Sequence, residues 1–544
     1  MRIAHILLVL TLLIQTSFGQ TTITDSTTVS GNWTVANSPY LIEGRAIVPS
    51  GQTLTLEPGV EVRLRSSASP TPSWFDYSAG NVGVIRVEGT IIANGTPAAP
   101  IVFTRDNTGF WGTILIDENA SDGSSFSNCI IEYAKESRNV PGVATPASFN
   151  GSISVYRSGV SISQNVFRHN TVNGLYIRES TGPIVFSENV FHDNGSNGSV
   201  IEQSTVNATN NTYHNNSNSA SGQVSAIRSS NSTVFLAGNL IYDNDDFGIF
   251  TTDGGHHYLV NNTIVGNSQG IRVESGANTY IYSTIVQNNT LNFATGSVGG
   301  ATVEMQYSLT NDAAFPANVT NVSGNLLGSD AQFTNAGGGD FSLQDSSSAI
   351  DAGNPDTTGL NIPSTDILGN PRLSNTIIDI GAIEFQQPLP VFTVTTASNP
   401  VTAGSTSGGG TFLSGSNVTV AAVPNMDYTF LNWTENGAVV SSAPDYSFTV
   451  TASRNLVANF ELAVSTRESA MNAGNLLIYP NPTDGLVNIR SHSSSSVEVF
   501  DACGQLVLTT KGRVLDLSNQ PAGIYFLKVN ASGTIGTIRV IIKE

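Results

Sequence analysis

Five charged residues spread along the middle of the chain, Arg178, Glu202, Arg228, Asp253 and Glu274, supply the two kinds of group needed to break a glycan by elimination. A carboxylate can remove the proton beside a sugar carboxyl group, and a guanidinium can stabilise the anion that results. Tyr176 and Phe250 would add platforms for sugar rings, and Arg272 a further cation on the same side. Stacked one above another, the same charges also make an alternating ladder that avoids like-charge repulsion and does no chemistry. No lyase signature pins these residues to roles, so binding and catalysis both stay open.

What positions them is a repeat. The phrase Asn, any residue, apolar residue, two more, Asn occurs at Asn165 to Asn170, Asn189 to Asn194, Asn211 to Asn216, Asn239 to Asn244 and Asn262 to Asn267. A sixth copy runs from Ser283 to Asn288, and a partial one starts at Asn128. Successive copies are separated by 24, 22, 28, 23 and 21 residues. Short alternating segments follow most of them, as in Gly174-Leu175-Tyr176-Ile177, Gly248-Ile249-Phe250-Thr251 and Gly270-Ile271-Arg272-Val273. Such segments cannot each bury a core alone, but stacked coils can. The predicted fold is an all-β solenoid, a parallel β-helix with Leu175, Ile249 and Ile271 on one internal stripe. Asn165, Asn189, Asn211, Asn239 and Asn262 should then form a ladder whose amides bond from coil to coil.

On that alignment Arg178, Glu202, Arg228, Thr252 and Glu274 share one outward ladder, flanked by Glu179, Gln203, Ser229, Asp253 and Ser275. Tyr176, Phe250 and Arg272 lie two residues earlier. His192 and His214 share a register between Arg168 and Tyr242, a stack that lacks a third metal ligand.

The upstream segments 41–64, 85–91 and 100–104 alternate apolar and polar residues between Gly and Pro turns, and Trp111 opens another coil. They resemble the N-terminal coils of the right-handed parallel β-helix (pectate-lyase-like) superfamily. Residues 134–150 read as a loop inserted between coils. Asp245-Asp246 with His256-His257 is similar to the acidic pair and histidine of polygalacturonases. That family's Asn-Thr-Asp and Arg-Ile-Lys segments, however, have no counterpart at the right coils. Near residue 385, segments around Asp351, Asp366, Arg372, Asp379 and Glu384 resemble the closing segment of secreted bacterial β-helices. Asp351, Asp366 and Asp379, with Glu384, could bind Ca2+ through oxygen ligands; the alternative is Asx turns and an Arg372–carboxylate pair.

Pro388 to Pro390 mark a linker. Beyond it, the glycine turn Gly408-Gly-Gly410, Asn432-Trp433 and Ala458-Asn-Phe460 resemble a divergent internalin-type B-repeat, a small β-grasp-like module, which implies a spacer or adhesive role. The chain closes with Tyr479-Pro480-Asn481-Pro482-Thr-Asp-Gly485, then Gly504 in a turn and Pro521-Ala-Gly523-Ile-Tyr525. These blocks are similar to the type A sorting domain of the type IX secretion system of Bacteroidota. That resemblance implies an Ig-like β-sandwich handled by the type IX machinery. It also implies a body released or attached to surface lipopolysaccharide, so a secreted or outer-membrane cell-surface location.

The apolar run near the start, with the small residues Ser17 and Gly19, reads as a signal peptide cut before Gln20. The expected domains are a signal peptide (1–19), β-helix (20–386), B-repeat-like module (387–462), linker (463–474) and sorting domain (475–544). Residues 20–466 carry 14 Lys/Arg against 35 Asp/Glu, and 467–544 carry seven against six, within a net charge of −19. An acidic body repels phosphate backbones, which excludes nucleic acid as a partner. A monomer is expected, and Cys129 and Cys503, in different domains, read as free and structural. Two functions stand side by side: a glycan-binding or adhesive surface protein, and a secreted polysaccharide lyase or, less well supported, a glycoside hydrolase with its groove on the helix.

Overall fold

The computed structural model describes residues 20–68, 75–138, 148–217, 224–296, 300–463, 477–490, 495–531 and 534–543. The expected signal peptide and Gly19 lie outside them, while Gln20 is exposed. The chain divides into two compact units between Gln387 and Pro388.

The first unit is a three-sided parallel β-helix. Each coil lays down one strand on each of three faces, as in Asn173–Arg178, Ile184–Ser187 and Val190–His192. Each strand pairs in parallel with its counterpart one coil on. Leu175, Ser199, Ile227, Ile249, Ile271 and Phe293 follow one another along the inner side of the first face. The predicted stripe is therefore continuous. On the third face Phe167, Phe191 and Tyr213 stack inside the helix, 4.6 and 4.7 Å apart and nearly coplanar.

The corners explain the asparagines. Gln164, Glu188, Asn210, Gly238 and Asn261 take positive φ and turn the chain from the second face to the third. The residue after each is the ladder asparagine, fully buried. Asn165 Nδ2 donates to Asn189 Oδ1 at 3.0 Å, Asn189 to Asn211, Asn211 to Asn239, and Asn239 to Asn262, all at the same distance. Each Oδ1 also accepts the backbone N–H of the asparagine below, and each Nδ2 donates to a backbone carbonyl one coil back. Thr284 and Ser308 continue the series with hydroxyls. Cys129, one residue after the expected start at Asn128, fills the slot below Asn165.

A second ladder, Asn170, Asn194, Asn216, Asn244, Asn267 and Asn289, runs up the next corner with Nδ2 to Oδ1 distances of 2.9 to 3.0 Å. A buried amide left without a partner costs about 1–3 kcal/mol, so these paired side chains fix the register of every coil.

The last stretch of this unit does not simply plug the end of the helix. Phe333, Phe341, Ala349, Ile380 and Ala382 pack on Leu240, Val265, Ile285 and Leu309, outward residues of the third face. Its backbone bonds to the corner residues Asn210 and Asn261. On the N-terminal coils, Phe75, Tyr77, Val82, Phe149 and Tyr156 build a smaller cluster over the outer side of the first face around Leu115. It includes Phe149, on the C-terminal flank of the inserted loop expected at 134–150, of which residues 139–147 lie outside the described residues.

In the second unit, residues 391–462 form a five-stranded and a three-stranded sheet around Trp433, whose Nε1 donates to the Pro444 carbonyl. Residues 477–542 form a three-stranded and a four-stranded sheet around Val487, Ile489, Val499 and Leu527. In the sorting motif Tyr479 is exposed, and Asn481 bridges to the last strand through Arg539 O and the Ile541 N–H. Gly485 is required by geometry: a Cβ there would lie 2.7 Å from Ser518 Cα. Gly504 and Gly523 also take positive φ. Both cysteines are free, and burial raises the Cys129 thiol to about 12. Cys503 departs from expectation: it sits exposed in a turn and supports no core.

Replacing Asn211 by alanine orphans the Asn189 backbone N–H and the Phe186 carbonyl at once, and takes one of two partners from the Asn189 amide and the Asn239 side-chain oxygen. Chemical unfolding of the purified protein should show a loss of about 1–3 kcal/mol per orphaned group. His257 points into the core, where burial pushes its imidazole down to about 4. Between that value and the unfolded ~6.5 only the unfolded chain takes the proton, so stability should fall as pH drops through this window by up to ~3 kcal/mol. Unfolding curves against pH should show a shallower acid limb for His257→Gln than for the parent.

Candidate functional site

The outer side of the first face carries the residues singled out from sequence, in a corrected register. One row reads Tyr176, Val200, Arg228, Phe250, Arg272, Ala294. The next reads Tyr156, Arg178, Glu202, Ser230 and Thr252, with Glu274 following one coil on. Arg228 therefore stands in line with Tyr176 and Phe250, and Ser230 takes the place expected for it beside Glu202. The 28-residue step between Asn211 and Asn239 holds its extra residues before Ser225, two more than the repeat suggested. The same shift makes Asn231 the corner residue, with positive φ like Glu179, Gln203, Asp253 and Ser275. Ser229, expected there, is buried against His257.

Alternation points this row outward, yet much of it is covered. Tyr176 is 6% exposed, Val200 5% and Phe250 4%. Phe250 lies between two guanidiniums, Arg228 at 5.5 Å and Arg272 at 5.9 Å from its ring centre, and Arg272 also covers Phe247. Of the two rings expected as sugar platforms, Phe250 is thus packed inside cation–π contacts and Tyr176 is buried. Tyr176 donates to Glu202 Oε2 at 2.8 Å, and burial followed by the Glu202 charge raises its phenol well above the usual range.

All of the remaining charges but Arg228 are engaged by an ion pair or a hydroxyl. Arg178 meets Glu179 at 3.1 Å, Arg157 joins Glu179 and Glu118, and Arg272 pairs with Glu274. Asp253 accepts the Ser230 hydroxyl at 2.9 Å. Arg228 has no carboxylate partner among the described residues.

The carboxylates proposed for Ca2+ are turned elsewhere. Asp366 accepts the N–H groups of Leu368, Asn370 and Glu384; Asp379 accepts those of Asp351 and Phe385. Glu384 accepts the Asp379 N–H. Buried Arg372 donates to the Gly381 and Ala382 carbonyls, with Glu384 3.9 Å away. Burial lifts Asp379 to about 6 and Glu384 to about 7. A Ca2+ ion needs six to eight free oxygens; Asp366, Asp379 and Glu384 are spent on backbone amides and exposed Asp351 accepts from the Asn375 side-chain amide, so the set does not fit it. No group of three metal-ligating side chains is gathered among the described residues. His192 and His214 do stack, 5.1 Å apart and 4° from parallel, with Tyr242 next in line.

One feature of the second face was not anticipated. Phe235, Tyr258 and Tyr280 occupy successive coils in one outward row, at ring separations of 4.7 and 5.3 Å. Each lies four residues before its ladder position, Asn239, Asn262 or Thr284, so the repeat contained the signal.

Residues 151–313 match the family model for a right handed beta helix region. Residues 394–464 match the divergent InlB B-repeat domain, and 477–543 the secretion system C-terminal sorting domain. No curated protein matches the chain. Among solved structures, it is similar to pectate lyase Pel9A at 14% identity and a TM-score of 0.43, over 62% of this chain and 88% of that one. It is also similar to the A-module of the Azotobacter vinelandii mannuronan C-5 epimerase AlgE4 at 11% identity and a TM-score of 0.24, over 57% and 88%. For the enzymatically active domain of bacteriophage CBA120 tailspike protein 2, the identity is 10% and the TM-score 0.25, over 92% and 66%.

If Phe250 is a packing residue, Phe250→Ala should cost about 3–5 kcal/mol in chemical unfolding. A cost under 1 kcal/mol would return it to the role of an open platform.

Proposed function

We propose, from the premise that this is a secreted or cell-surface right-handed β-helix protein with a B-repeat domain and a type IX sorting domain, that its helix binds glycans without cleaving them. On this reading the B-repeat domain is a spacer or adhesive module. The sorting domain delivers the body through the type IX machinery to the surface, where lipopolysaccharide is the attachment partner. The helix, the module and the sorting domain are taken as separate domains, with the first boundary near residue 387.

The observation that supports a non-catalytic role is the occupancy of the first face. A general base must be free to accept a proton from substrate, within hydrogen-bond reach of it. Glu202 is held by the Tyr176 hydroxyl, Asp253 by Ser230 and Glu274 by Arg272. The Phe250 ring lies between guanidiniums rather than open to a sugar.

Arg228 favours the alternative. It is a partly exposed guanidinium with no ion pair among the described residues, one coil beyond Glu202, and an anion-stabilising cation of a lyase would look like this.

A depolymerisation screen of the purified protein separates the two. It would follow ultraviolet absorbance of unsaturated products and release of reducing ends, across uronic, sulfated and neutral glycans, with and without Ca2+. The expected result is no cleavage of any polymer. Cleavage that Arg228→Ala or Asp253→Ala abolishes would make the protein an enzyme and put its groove on the first face.

A further inference from the structure

The three faces differ in charge and in cover. The first is rich in charge: Arg178 and Arg272 pair with carboxylates, Glu202 and Asp253 are held by hydroxyls, and Tyr176, Val200 and Phe250 are packed among them. The third is covered over its C-terminal coils by residues 331–383. The second face is different on both counts. Its strands from Gly31–Trp33 through Thr90–Asn94, Val160–Ser163 and Thr205–Thr209 to Asn278–Tyr282 contain no Asp, Glu, Lys or Arg. Its outward residues are solvent-accessible: Ser161, Val185 and Asn207 are exposed, and Phe235, Tyr258 and Tyr280 are partly so. A long uncharged strip on so acidic a body is a selective surface, because it neither attracts cations nor gives an anion a partner.

At the C-terminal end of this strip, Phe235 and Tyr258 of the row, with Tyr280 stacked on Tyr258, border a cavity of about 300 Å³. Its other walls are Val260, Tyr282 and, from the closing segment, Gly359 and Leu360. Because the rings stack on one another, they present edges and phenol hydroxyls to solvent rather than faces. Thr233, His256 and Asn278 form a parallel polar row two residues earlier on the same strands. Glu304 follows Tyr280 as an exposed acceptor. Apolar edges, neutral donors and acceptors thus repeat at the coil spacing of about 4.8 Å, close to the length of one sugar unit in an extended chain.

We propose that this row and cavity bind an uncharged polysaccharide, one without uronic acid or sulfate groups, lying along the helix axis. Ring edges and Leu360 take the C–H surfaces of the sugars, Thr233, His256 and Asn278 take hydroxyls, and Glu304 repels anionic chains. This rests on the glycan-binding reading above and assigns it to a different face from the one the charged residues suggested.

The test is binding of the full purified protein to a fixed panel by affinity electrophoresis and pull-down. The neutral probes are cellulose, chitin, xylan, mannan and mixed-linkage β-glucan; the anionic probes are polygalacturonate, alginate and chondroitin sulfate. At least one neutral polymer should bind, and Tyr258→Ala and Tyr280→Ala should each weaken it tenfold or more. Asn278→Arg, which adds a charge at the surface without removing a ring, should do the same with unfolding unchanged. Arg228→Ala should leave binding as it is. If a polymer binds but only Arg228→Ala weakens it, the second-face site is wrong while glycan binding stands. Binding confined to the anionic probes overturns the site in the same way. If no polymer binds, both readings fall.

Discussion

The buried asparagine amide is the interaction on which this molecule depends. Each one closes four hydrogen bonds inside an apolar core: its Nδ2 donates to the next amide and to a backbone carbonyl, and its oxygen accepts from both the amide and the N–H of the coil before. A slip of one residue would turn that amide outward and leave the neighbours above and below unsatisfied. The αL residue before each ladder position bends the chain so that the amide points in. Register, corner and core are thus set by one two-residue pattern, and the outer faces inherit their order from it.

That order explains how different the three faces can be. Inner positions must satisfy packing and the amides, which leaves the outward positions free to vary by face. The first face engages all its charges but Arg228 in ion pairs or with hydroxyls and packs Tyr176 and Phe250 among them. The third supports the closing segment, whose carboxylates hold backbone amides in a stretch that has no regular strands to do so. The second carries no charged residue on its strands before Glu304 and meets the closing segment around Leu360.

Much of this was legible in the sequence, because a repeat of 21 to 28 residues with paired asparagines allows few other folds. The first ladder and the Leu175–Ile249–Ile271 stripe follow from spacing alone. Register failed at Arg228, where the coil carries its extra residues before the strand and a constant offset no longer holds. The acidic cluster of the closing segment was ambiguous, because Asp and Glu serve a metal and a backbone N–H equally well on paper. Cover was invisible as well: alternation marks Phe250 as outward, and nothing in the sequence reveals the two guanidiniums over it. The Phe235–Tyr258–Tyr280 row escaped because its members are 23 and 22 residues apart and belong together only after the ladder is used as the ruler.

Native-state hydrogen exchange tests the ladder most directly. The backbone N–H groups of Asn165, Asn189, Asn211 and Asn239 each donate to the side chain of the coil above. If these contacts hold the coils in register, those amides should exchange only through global unfolding, with the same denaturant dependence as the core strands Asn173–Arg178 and Val190–His192. Fast exchange that is independent of denaturant, as in a surface turn, would mean the ladder opens locally and does not organise the helix.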